Sequence, residues 1–167
     1  MSKKIILLAG PTASGKTKLA IHLAKKINGE IINADSMQVY KQLKILSARP
    51  DPKKYQKIKH HLYGFQSVKK NFSTGDWLKY AIKKIKEVEA RKKTPIFVGG
   101  TGLYFTSLIN GLSEIPGIDS HLQAEIDNWH SSQGIEKLAS WLETHDIKTF
   151  RKIDIRNPAR VLRAIEV

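Results

Sequence analysis

Eight consecutive residues, Gly10-Pro11-Thr12-Ala13-Ser14-Gly15-Lys16-Thr17, have the types and order that grip a phosphate chain. They follow an apolar run, Ile5 to Ala9, and open into Lys18-Leu19-Ala20-Ile21-His22-Leu23-Ala24, a good helix former. A buried strand, a glycine-bracketed turn and a helix N-terminus together present main-chain N–H groups to an anion. Gly10 and Gly15 can take backbone angles closed to other residues, so successive N–H groups can turn inward. Lys16 adds a point charge, and the Thr17 hydroxyl can ligate the Mg²⁺ that accompanies a di- or triphosphate. Asp35 is the second chemical group, at the end of the short strand pattern Glu30-Ile31-Ile32-Asn33-Ala34. It could partner Mg²⁺, serve as general base on an acceptor nucleophile, or cap the following turn. Gly99-Gly100-Thr101-Gly102 forms another glycine-rich strand-to-helix turn. Its glycines serve either tight strand-on-helix packing or close approach of a substrate, with Thr101 offering a hydroxyl. The six histidines include no i, i+4 pair, and His60 and His61 are adjacent and point apart, so a histidine metal site is not expected.

These groups need elements to hold them. A first helix is expected from Lys16 to Ile27, stopped by Asn28-Gly29. Pro50 and Pro52 break the chain, Lys53 to Lys59 reads as a short surface helix, and His60 to Tyr63 as a strand. Ser73 with Asp76 three residues on marks a helix start. Trp77, Leu78, Ala81, Ile82, Ile85 and Val88 then form one apolar face at helical spacing, with Lys79, Lys83, Lys84 and Lys86 toward solvent. Thr94 to Val98 is a buried strand pattern, followed by a helix to Asn110 that Gly111 stops. Strands and helices in alternation predict a parallel α/β sheet with right-handed crossovers. Ligands in such sheets bind beyond the strand C-termini, where Gly10, Asp35 and Gly99 all fall. From Leu112 the pattern is helical only: Ser120 to Trp129 and Ile135 to Leu142 are amphipathic, with Trp129 and Trp141 expected in the core. Asn157-Pro158 reads as an N-cap and first helical residue. The expected division is an α/β core over 1–111, a helical insertion over 112–157 and a returning helix over 158–167.

Lys and Arg number 29 against 15 Asp and Glu, a formal net charge of +14. Such a charge favours polyanionic partners, nucleic acid above all. With no cysteine there is neither a disulfide frame nor a thiolate metal site. An apolar strand starting by Ile5 leaves no room for a signal peptide, and no apolar run is long enough for a bilayer. A cytoplasmic, membrane-free monomer is the expectation.

The phosphate loop, Ala34-Asp35-Ser36-Met37-Gln38-Val39-Tyr40-Lys41, His60-His61-Leu62, Val98-Gly99-Gly100-Thr101-Gly102-Leu103-Tyr104 and Arg160-Val161-Leu162-Arg163-Ala164-Ile165-Glu166-Val167 occur here in order. In these the chain resembles the tRNA dimethylallyltransferases, which prenylate an adenosine beside the tRNA anticodon. The resemblance implies a phosphate-loop fold with a helical insertion. It also implies that residues 10–17 hold the pyrophosphate of dimethylallyl diphosphate rather than ATP, with Lys16 in the catalytic set and Mg²⁺ at Thr17. Asp35 would be the base at the target adenine, and Ser36, Met37 and Gln38 would touch tRNA. Thr101 would join the catalytic set and contact the nucleotide, and Gln123 with Ala159, Arg160, Val161, Leu162 and Arg163 would complete the tRNA surface. There are departures. Ile45-Leu46-Ser47-Ala48-Arg49-Pro50 stands where the family has Ile-Gly-Thr-Ala-Lys-Pro, Gln123 stands where an arginine is usual, and family members continue beyond the last motif. A small-molecule or nucleotide kinase sharing the loop, and an inactive tRNA-binding remnant, are the alternative readings.

Overall fold

Ile31 and Ile32 are neighbours in sequence yet belong to two different cores, because successive side chains of a strand point to opposite faces. That alternation organises the α/β part of the computed structural model, which describes residues 4–112 and 117–167. Four strands, β1 (Ile6–Ala9), β2 (Gly29–Asn33), β3 (His60–His61) and β4 (Thr94–Gly99), form one sheet in the order β1-β4-β2-β3, every pair parallel. β2 is buried along its whole length and β4 from its second residue. That is the pattern of central parallel strands covered on both faces.

One face is covered by α1 (Lys16–Ile27), whose Ala20, Ile21 and Ala24 pack on Ile31, Ile96 and Val98. Asn28 closes the helix in the left-handed conformation, as the Asn-Gly stop predicted. The other face is covered by α2 (Thr74–Ala90) and α3 (Gly102–Asn110), which bring Trp77, Ala81, Val88, Tyr104 and Phe105 onto Ile32, Ala34 and Phe97. The expected start of α2 forms a full capping box: the Ser73 side chain accepts from Asp76 N–H, and the Asp76 carboxylate accepts from Ser73 N–H. Ile82, expected on the apolar face, is instead exposed. Lys53 to Lys59 is not a helix: a single 3₁₀ turn covers Pro52–Lys54. Gln56 and Lys57 then take positive φ, which no helix accommodates.

Contacts divide the chain into two units, Met1–Leu112 and Ser113–Val167. The expected start of the helical insertion falls partly on residues 113–116, outside the described residues. In the second unit α4 (Ser120–His145) is broken at Gly134, whose φ of 77° separates the two amphipathic segments read from sequence. After the short α5 (Ile147–Phe150), α6 (Pro158–Glu166) shares a core with α4, centred on Ile126, Leu138 and Val161. Pro158 sits in the first turn of α6, but the Asn157 side chain makes no capping bond. Its carbonyl, rather than its amide, accepts from Arg160 and Val161 N–H. Trp129 and Trp141 meet edge to face, yet Trp141 is partly exposed and stacks on His145 one turn along, so it is a rim residue and not core.

Candidate active site

The strand order brings three sequence motifs to one place. β4 lies between β1 and β2, so its C-terminal glycines separate the phosphate loop that follows β1 from the Asp35 turn that follows β2. Gly10 N–H donates to Gly99 C=O, and Ala34 N–H to Val98 C=O. The approach is close: a Cβ on Gly99 would lie 2.0 Å from the Ala34 carbonyl oxygen, and one on Gly100 would lie 3.3 Å from that of Gly10. Gly99 is therefore a glycine because a backbone passes over it. Gly99→Ala is expected to cost about 2–3 kcal/mol of folding stability, toward the upper end of overpacking, read from the urea midpoint. A variant as stable as the parent would contradict that role.

A cavity of about 360 Å³ opens at this junction, lined by residues 12–18, Asp35, Gln38, Ala48, Tyr63 and Val98 to Gly100. The phosphate loop turns as a nest of amides. Ala13 and Gly15 take positive φ (63° and 83°), while Gly10, which could, does not. Gly10 is instead packed beneath Ser14 and the Lys16 stem. Among the described residues, the N–H groups of Thr12, Ala13, Ser14 and Gly15 have no protein acceptor. Four unpaired donors beside a helix N-terminus and a lysine are the groups that binding an anion requires. Lys16 Nζ donates back to Pro11 C=O and lies 3.4 Å from Ser14 Oγ, folded over its own loop. Thr17 is on the same wall.

Asp35 is held from several sides. Its Oδ1 accepts from Met37 N–H (2.9 Å) and Gln38 N–H (3.4 Å), so the capping reading describes one of its two oxygens. Among the described residues Oδ2 has no partner. Asn33, which the sequence did not single out, clamps the turn: its Nδ2 donates to the carbonyls of Asp35 and Leu62, and its Oδ1 accepts from Asp35 N–H. Asn33 is fully buried, and Trp77 Nε1 donates to its carbonyl. Thr101 faces this turn as well. Its Oγ1 accepts from Ser36 N–H (2.9 Å) and contacts Ser36 Oγ (3.2 Å), so the hydroxyl locks Ser36 in place. Gln38 donates to Ser47 C=O and lines the cavity, whereas Met37 is half exposed. Arg49 lies over Gly64 and donates to the carbonyls of Tyr40 and Lys41, tying down the segment that departs from the family pattern.

The remaining predicted positions lie in the second unit. Gln123 is exposed on α4. Ala159, Arg160 and Arg163 line a cavity of about 740 Å³ with Lys152 and Asp146. Arg163 pairs with Glu166 at 2.9 Å, while Arg160 has no acidic partner among the described residues. Val161, by contrast, is fully buried in the core, with no exposed surface. It follows the same 3.6-residue period that puts Arg160 and Arg163 outward. Leu162 is half buried against that core.

Known proteins are similar to this chain in sequence and in fold. The IPP transferase family matches residues 38–167. The tRNA dimethylallyltransferase of Pelagibacter ubique is 52% identical over 164 residues, covering 98% of this chain and 52% of that protein. The full-length tRNA isopentenylpyrophosphate transferase of Bacillus halodurans superposes with a TM-score of 0.66 at 35% identity, over 99% of this chain and 55% of that one. A eukaryotic dimethylallyltransferase described as acting on tRNA superposes with a TM-score of 0.83 at 31% identity, over 97% of this chain and 40% of that one. The chain thus spans about half the length of the curated relatives it matches. With a matched region that runs from Gln38 through the last helix, and relatives that align across both units, the chain belongs to the IPP transferase family.

Proposed function

We propose that this chain carries the donor site and the base of a reaction that moves a dimethylallyl group from dimethylallyl diphosphate to N6 of the adenosine beside a tRNA anticodon. One observation carries the reading: unpaired phosphate-loop amides and the Asp35 carboxylate line a single cavity. The exocyclic amine of adenine is a weak nucleophile, because its lone pair is delocalised into the ring, so the donor must be activated. The allylic C–O bond breaks with its electron pair leaving on pyrophosphate, while the new C–N bond forms. Loop N–H groups and Lys16 stabilise the charge that accumulates on the departing oxygens. Asp35 takes the proton that N6 gives up.

Among the described residues no three His, Asp or Glu side chains cluster. A Mg²⁺ fits here only in the manner of ions held chiefly by substrate phosphates. The Thr17 hydroxyl on the cavity wall would hold it, and it would supply charge neutralisation to the diphosphate. The excess of basic residues suits a tRNA backbone, and Arg160 with Lys152 offers cations for it. Among the described residues no helix is long and apolar enough to cross a membrane. A cytoplasmic monomer is consistent with the reading.

The direct test is incubation with dimethylallyl diphosphate, Mg²⁺ and tRNA, followed by mass spectrometry of the tRNA nucleosides. An isopentenyl mass increment on adenosine is the expected result. ATP consumption driven by a small acceptor and indifferent to RNA would point to a kinase instead. Lys16→Ala is expected to weaken pyrophosphate binding at least about tenfold, the size of a lost charge-assisted hydrogen bond. Calorimetric titration reads this, and unchanged affinity would remove Lys16 from the site.

A further inference from the structure

Tyr63 lines the cavity between the phosphate loop and Asp35, and no step above uses it. It is tied to the Asp35 turn through both neighbours. The carbonyl of Leu62 accepts from Asn33 Nδ2, the same amide that holds the Asp35 carbonyl. On the other side Gly64 N–H donates to Gln38 C=O. Leu62 and Gly64 both take positive φ, so the chain bends sharply on either side of Tyr63. Its ring is braced by His60 (5.8 Å between centroids) and Tyr55 (6.4 Å), which themselves stack at 3.6 Å. The phenol is thus a rigid fixture of the cavity wall. Its hydroxyl has no hydrogen-bond partner among the described residues. Burial, then the charges of Tyr55 and Asp35, push its titration well above the ordinary phenol range. It therefore keeps its proton and acts as a donor.

Asp35 Oδ2 is an unused acceptor on the same cavity, and Tyr63 O–H an unused donor. We propose that the two read one edge of the acceptor base: Oδ2 accepts from the exocyclic amine while Tyr63 donates to the ring nitrogen beside it. This rests on the acceptor being a base, as proposed above. Adenine carries that donor–acceptor pair on both its Watson–Crick and Hoogsteen edges. Guanine presents a carbonyl where the amine would be, and would set oxygen against carboxylate. Tyr63 is on this reading a specificity-determining residue, and the inference stands apart from the phosphate loop.

The test is fluorescence anisotropy of a labelled anticodon stem-loop RNA binding the full chain at fixed salt with pyrophosphate present. The target position carries adenosine, 1-deazaadenosine, 7-deazaadenosine or guanosine. One of the two deaza RNAs should bind the parent protein about tenfold more weakly than the adenosine RNA, the size of leaving a buried donor unpaired. Tyr63→Phe, which keeps the bracing ring, should bind adenosine RNA about tenfold more weakly and no longer distinguish that deaza analogue. A merely structural tyrosine would weaken all four RNAs alike and leave the distinction in place, which overturns the inference. So would parent protein that binds both deaza RNAs as tightly as adenosine RNA. If the parent binds none of the RNAs, the tRNA reading itself fails and this inference with it.

Discussion

Asp35→Asn is expected to leave pyrophosphate binding intact while slowing prenyl transfer by about 10²–10⁴-fold, the range that a general base contributes. The choice of asparagine matters. Oδ1 of Asp35 caps the turn by accepting from Met37 and Gln38 N–H, and an asparagine oxygen can do the same. Asp35→Ala would remove the cap and the base together, and a lost rate could then be blamed on a collapsed turn. Asparagine cannot take a proton from N6, so it separates the two roles. The measurement pairs single-turnover transfer to tRNA with calorimetric titration of pyrophosphate. Full turnover in Asp35→Asn would end the assignment of Asp35 as base. Loss of pyrophosphate affinity would move the residue to the metal or the turn.

The second large effect concerns Glu30, a carboxylate with no exposed surface on β2. It accepts from Arg91 Nη2 (2.7 Å) and Nε (3.3 Å), is bonded to His61 Nε2 (2.7 Å), and pairs with Lys93 (3.3 Å). Together these tie the β2–β3 edge to the chain leaving α2. Glu30→Ala leaves these basic side chains facing one another without their counter-charge. The expected loss is about 3–5 kcal/mol, as when one partner of a buried pair is removed, measured by urea unfolding. A cost below about 1 kcal/mol would mean that the cations find water easily and that the cluster is peripheral to stability.

Acid should dissect the same cluster. Burial alone would push the Glu30 carboxyl up, but hydrogen bonds from Arg91, His61 and Lys93 outweigh it and lower the pKa from 4.5 to about 2. A depressed folded-state value contributes stability that is fully present above about pH 4.5 and is lost as pH falls toward 2. The contribution is on the order of 3 kcal/mol. The stability difference between the parent and Glu30→Gln should shrink across that window, because protonation makes the parent resemble the variant. A difference that stays constant to low pH would show that Glu30 is stabilised by shape and not by charge.

The segments that were legible in the sequence are those whose determinants lie within a few residues of one another. The phosphate loop, the Asn28 stop and the Ser73–Asp76 capping box each close through local geometry, so residue type and spacing were enough. The buried runs of β2 and β4 likewise announced a covered parallel sheet. Reading failed at the margin of an apolar face, as with Ile82 and Trp141, and where a backbone angle decides, as at Gln56 and Lys57.

By itself, then, the sequence determined that this chain carries a glycine-bracketed strand-to-helix loop and an acid at a strand end, and folds as α/β with helices after it. Only the tertiary structure decided what stands beside what. The bonds that shape the site join Asn33 to Leu62, Trp77 to Asn33, Arg91 to Glu30 and Thr101 to Ser36, across 29, 44, 61 and 65 residues. No local pattern encodes such pairs, because they follow from the strand order β1-β4-β2-β3, set with the packing of two cores on opposite faces of the sheet. That same choice brings Tyr63, which carries no motif, to the wall of the cavity beside Asp35.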